Sequence, residues 1–139
     1  ALKCYAGDHD DKFPAADGAA GLKELMKKGY IRNARVFVNP NGNRSPATNA
    51  DDINENNVSY YYFGGFTENE PADLPLAIEK PLPGVDSVCV LYLDGHVEQR
   101  KGRFPNLLSV VNRVVPSSCF DQSISKKFQE KAKAFDAKR

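Results

Sequence analysis

The sequence predicts an α+β domain, a small antiparallel sheet with helices at both ends of the chain. Three observations carry this. Asp94-Gly95 stands between two short strand-like runs in "VLYLDGHVEQR", "VSYYYFGG" from Val58 to Gly65 is aromatic and β-branched as a pleated strand prefers, and apolar residues recur at helical spacing over the last forty residues. With 139 residues and 41% hydrophobic content, one domain with a modest core is expected over 1–139. Residues 1–103 form its core and 104–139 a helical extension.

The Asp-Gly pair suits a two-residue hairpin turn because both central positions need positive φ, which Gly adopts freely and Asp tolerates. The expected hairpin pairs residues 87–93 with 96–100, setting Leu93 opposite His96, Tyr92 opposite Val97 and Leu91 opposite Glu98. Val88, Val90, Tyr92 and Val97 then face the core. Cys89, Leu91 and Leu93 share the second face with His96, Glu98 and Arg100, whose long side chains cover apolar neighbours. Asp94, Gly95 and His96 thus read as a structural turn motif, with His96 a partly exposed cross-strand residue, since neither a nucleophile nor a metal-type cluster stands near it in sequence.

Leu2 to Ala6 reads as the end of a helix stopped at Gly7. A second helix covers "GAAGLKELMKKG", with Asp17 as its cap, Leu22, Leu25 and Met26 on one face and Gly29 at the C′ position. "YIRNARVFV" is expected to run extended into a long polar excursion, and the proline-rich Thr67 to Gly84 to be a winding connection. Pro105 fits the first position of a third helix striped by Leu107, Leu108, Val111, Val114 and Val115, and Asp121 or Ser123 caps a fourth whose Ile124, Phe128 and Phe135 share a face. That extension should cover the hairpin's second face, while the N-terminal helix, through Leu2 and Tyr5, takes the first.

Charge excludes some partners. Nineteen basic against 18 acidic residues leave a net charge of +1, so no electrostatic case exists for nucleic acid or an anionic membrane surface. Cys4, Cys89 and Cys119 form no CxxC pair of the kind zinc or redox chemistry wants, and their pairing is not legible. Neither a G-x-S-x-G elbow nor an H-E-x-x-H helix accompanies the two histidines, so a non-enzyme is expected, although spacing alone leaves a paired-carboxylate glycosidase open. Asp8 to Asp11 fails the calcium-loop pattern at Lys12 and Phe13. Asp51, Asp52, Asn54 and Glu55 are the calcium candidates, against a solvated acidic loop. Tyr60, Tyr61 and Tyr62 could offer rings to a sugar, yet strand alternation favours core.

"LKCYAGDHDDKFP", "GLKELMKKGYI" followed by "VFVNP", the central "VSYYYFGG" and the terminal "VLYLDGHVE" occur in this order over about residues 1 to 100. As an ordered set they resemble bacterial type II secretion pseudopilin-like proteins, in particular the prepilin-type group with a processing-associated domain named for His, nine residues and Asp-Gly. The resemblance implies a pilin-like fold and a non-enzymatic, extracytoplasmic subunit. It would be anchored in the inner membrane, and packed against itself or other pseudopilins, by an apolar helix upstream of Ala1. That expectation agrees with a chain that opens inside a helix without Met. Some major pseudopilins use a calcium site in a loop, and the alternative expectation is an extracytoplasmic ligand- or calcium-binding module. Two departures are clear. Gly84 stands where the group's histidine belongs, and Val38-Asn39-Pro40 stands where a Cys-Pro pair is common.

Overall fold

A computed structural model describes residues 1–39, 44–82, 84–116 and 120–137. Pro40 and Cys119, singled out in the sequence, lie outside the described residues. Helix α1 (Leu2–Asp8) buries Tyr5 and Ala6. The chain leaves it through Asp10 and Asp11, both at positive φ, which Asp tolerates better than most residues. Phe13, 3% exposed, then enters the core, and its N–H donates to the Phe66 carbonyl at 3.1 Å.

Helix α2 (Ala19–Lys27) buries Leu22 and Leu25 and ends as expected. Gly29 has φ 82°, and the N–H groups of Gly29 and Tyr30 return to the carbonyls of Met26 and Leu25 at 3.1 and 2.9 Å, satisfying two orphan acceptors of the last turn. Its start corrects the sequence reading. Gly18, not Asp17, is the cap residue and offers no side chain; the Ala19 N–H instead donates to Glu55 Oε2 at 2.8 Å. Asp17 accepts from the Gly64 N–H at 2.7 Å and pairs with Lys131 at 2.6 Å.

The segment expected to extend from Tyr30 contains a 3-10 turn, Ala34–Phe37, capped by Asn33. A second, Ala50–Asp52, is capped by Asn49. The sheet follows: β1 (Tyr60–Tyr62), β2 (Pro75–Glu79), β3 (Ser87–Tyr92) and β4 (Val97–Lys101), all antiparallel in the order β1-β2-β3-β4. Strand β2 overturns the winding connection. Its first four residues are all buried, so "PLAI" lacks the alternation that marks a half-solvated strand, and Pro75 at its first position costs no interior ladder bond.

The hairpin forms, with its register one residue from the expected one. Leu91 pairs with Val97, Val90 with Glu98 and Val88 with Arg100. Tyr92 N–H donates to the His96 carbonyl at 2.9 Å, so the connection is Leu93-Asp94-Gly95, three residues. A one-residue slip turns every β4 side chain over. Val97 is therefore 62% exposed rather than core, and His96, Glu98 and Arg100 share the face of Tyr92, Val90 and Val88.

The helices also sit on opposite faces from those expected. Tyr61, Ile78 and Val90 are cross-strand partners on one face. Tyr61 meets Phe135 at a ring-centroid distance of 4.9 Å, and Phe63 meets Phe128 at 4.6 Å. The C-terminal helices thus cover the Val88, Val90, Tyr92 side. On the other face a Cβ on Gly21 of α2 would fall 2.3 Å from Tyr62, so α2 lies against the Tyr62, Ala77, Leu91 row, and Leu2 of α1 lines a groove with Leu91.

Helix α3 (Leu107–Val114) is capped by Asn106, reciprocally with Ser109, so Pro105 lies one residue before the cap. Helix α4 (Gln122–Ala137) follows Asp121 directly, and Ser123 falls in its first turn. Asp136 near the end of α4 accepts from the N–H groups of Leu107 and Leu108, each at 3.0 Å. One carboxylate thereby satisfies two orphan donors of α3.

Candidate functional site

Three places could carry chemistry: the Asp94-Gly95-His96 turn, the loop holding the calcium candidates, and an apolar groove beside the hairpin.

The turn is built locally. Gly95 has φ 94°, in the left-handed region that closes a three-residue hairpin loop. Asp94 Oδ1 accepts from the His96 N–H at 3.1 Å and also meets His96 Nδ1; these contacts hold the Asp94 carboxyl below the ordinary carboxylate range. The imidazole stacks on Tyr92 with centroids 4.4 Å apart, and its Nε2 lies 3.5 Å from Glu98. Arg100 donates to the Tyr92 hydroxyl at 2.8 and 3.1 Å and pairs with Glu98 at 3.1 Å. Burial pushes the Tyr92 phenol up, and Arg100 opposes it. Asp94, Gly95 and His96 come together on an exposed hairpin tip, as an imidazole between two carboxylates on an aromatic ring. The other histidine is remote, its Nδ1 2.8 Å from the Tyr5 carbonyl.

Replacing Gly95 with Val forces a β-branched residue to positive φ, although nothing lies within 4 Å of the added Cβ. The expected loss is about 1–3 kcal/mol. His96→Gln keeps the backbone N–H to Asp94 and loses the stack on Tyr92 and the imidazole's contacts with Asp94 and Glu98, all on an exposed tip, so its midpoint should stay near wild type. Urea unfolding of both variants checks the order.

The four calcium candidates point to different partners. Asp51 pairs with Lys27 at 3.4 Å, Asp52 accepts from the Thr48 N–H at 3.3 Å, and Asn54 accepts from the Asn56 N–H at 2.8 Å. Glu55 turns inward, giving one oxygen to Ala19 N–H and the other to Lys80 Nζ at 2.9 Å. Among the described residues no three His, Cys, Asp or Glu side chains are grouped to hold a metal ion.

Lys80 carried no signal in "EKPLP", yet it is 4% exposed. Its ammonium donates to the carbonyls of Glu55 and Val58 at 2.7 and 3.0 Å as well as to the Glu55 carboxylate. A buried lysine is tolerated when its donors are matched this way. The loop from 55 to 58 is therefore tied to the residue after β2 by Lys80, through one ion pair and two carbonyl hydrogen bonds, and to the start of α2 by the Glu55 hydrogen bond from Ala19.

The groove lies on the sheet face that α1 and α2 only partly cover. It measures about 590 Å³, and Leu2, Val36, Tyr60, Leu91 and Val97 line it with Cys89. Val36 and Val97 are 59% and 62% exposed. Cys4 and Cys89 are free thiols, and burial, with Glu79 nearby, pushes the Cys89 thiol up, away from the reactive thiolate. Gly84, where the resemblance expects histidine, is exposed at φ 77°.

Compared with known proteins, the chain matches no family model, no curated protein and no solved structure.

Proposed function

We propose that this chain is a non-enzymatic, extracytoplasmic subunit of a pilin-like assembly of the type II secretion pseudopilin kind. The observation that carries the reading is α1, which buries Tyr5 and Ala6 while its Leu2 lines the apolar face of a four-stranded antiparallel meander. A helix entering the domain along a sheet face suits a protein whose helix both carries the globular part and packs on neighbours. The Asp94-Gly95-His96 tip supports it too. Its polar groups are spent on one another and on Tyr92, as a turn requires. The ordered motifs of residues 1 to 100 add the specific family, and from the resemblance alone come inner-membrane anchoring by an upstream helix and partnership with other pseudopilins.

N-terminal sequencing of the mature protein from its own cells tests this. A mature chain that begins with about 20 apolar residues after removal of a short basic leader supports the reading. An ordinary secretory cleavage that leaves no apolar helix before Ala1 overturns it.

A further inference from the structure

We propose that β4 pairs with β4 of a second copy of this chain, antiparallel and centred on Gln99. This goes beyond the pilin-like reading and does not depend on it. Strand β4 is an edge of the sheet, and all its residues but the half-buried Arg100 are exposed. Even-numbered residues turn their main chain toward β3, as the Tyr92 N–H to His96 carbonyl and Gly102 N–H to Asp86 carbonyl bonds require. Val97, Gln99 and Lys101 therefore present their N–H and C=O groups outward, where an antiparallel partner would form about six main-chain bonds.

The side chains select the register. Centring on Gln99 sets each Glu98 against the second copy's Arg100, and each Val97 against its Lys101. The two neighbouring registers that keep the outward groups matched would set Glu98 against Glu98 or Arg100 against Arg100. Of these three alignments only the one centred on Gln99 avoids like charges, and it makes the favourable pair twice. In that alignment the two-fold axis is normal to the sheet, so both copies keep the same face on the same side. The aliphatic stem of Lys101 then lies over the 62% exposed Val97 of the other copy. Charges on an edge strand ordinarily repel chance strands; here the order Glu-Gln-Arg admits its own antiparallel image.

Sedimentation velocity over a concentration series, with the 139-residue chain, tests the pairing. Wild type should dimerise weakly, and less so in high salt. Glu98→Arg and Arg100→Glu should each weaken dimerisation by at least about tenfold, because each makes its own pairs like-charged. An equal mixture of the two variants should restore it, since the two arginines that one variant carries on β4 then meet the two glutamates of the other. Gln99→Pro should abolish dimers while leaving the melt intact, because the lost N–H faces outward. A wild-type chain that stays monomeric at about 1 mM overturns the proposal. So does a dimer that survives Gln99→Pro, or a mixture that fails to recover when both variants melt like wild type.

Discussion

A chain cut after Arg103 should lose its cooperative unfolding transition and aggregate. The removed residues include Leu107, Val110, Val111 and Phe128, all 0% exposed, and Phe135, whose ring meets Tyr61. Large apolar side chains of this kind contribute roughly 1.5–3 kcal/mol each when buried. Together they match the whole net stability of a typical domain, about 5–15 kcal/mol. The cut also strips Lys131 from Asp17 and from the Gly64 carbonyl, leaving Asp17 to hold the turn after β1 through the Gly64 N–H alone. The remaining strands expose a wide aromatic surface, which is an aggregation hazard. Differential scanning calorimetry with light scattering on the truncated chain reads both effects. A monomeric fragment with an unchanged melt would show the extension to be an independent tail.

Phe128→Ala is the largest single-residue effect expected, a loss of about 3–5 kcal/mol. Phe128 is the aromatic keystone between α4 and the segment that follows β1. Its ring is 4.6 Å from Phe63 and 5.1 Å from Phe66, stacked on the latter within 10°. Both contacts are ring on ring, so the vacated space is walled by aromatic carbon that loses its dispersion partners. Phe128→Leu, which keeps most of the volume, should lose clearly less. Guanidinium unfolding at matched slope measures both. Negligible losses in both variants would mean that α4 is held instead by its polar pins, Asp136 at the start of α3 and Lys131 at Asp17.

The groove beside β4 and the turn at its start have opposite legibility. Asp94-Gly95-His96 was visible because turn chemistry is local: Gly95 takes positive φ for reasons contained in three residues. The groove residues Val36, Tyr60 and Leu91 come from three distant segments and share no sequence signature. Lys80 was silent for the same reason. A lysine in a proline-rich stretch reads as solvated until the fold brings the carbonyls of Glu55 and Val58 around its ammonium.

By itself the sequence determined the α+β class, the hairpin's place, the Gly29 helix stop, and the apolar stripes of α2, α3 and α4. Each depends on backbone preferences or on a periodicity within one element. Tertiary structure alone decided which side of each element meets which neighbour. The cap of α2 comes from Glu55, 36 residues away, because any well-placed carboxylate can satisfy an orphan N–H. Strand β2 emerged only from the fold, since a strand buried on both faces carries no alternation to read. The hairpin shows the division most sharply. Asp-Gly announced a turn, but two- and three-residue loops differ locally by little, while with a sheet period of two that one residue moved Val97 from the expected core to solvent and brought His96 over Tyr92.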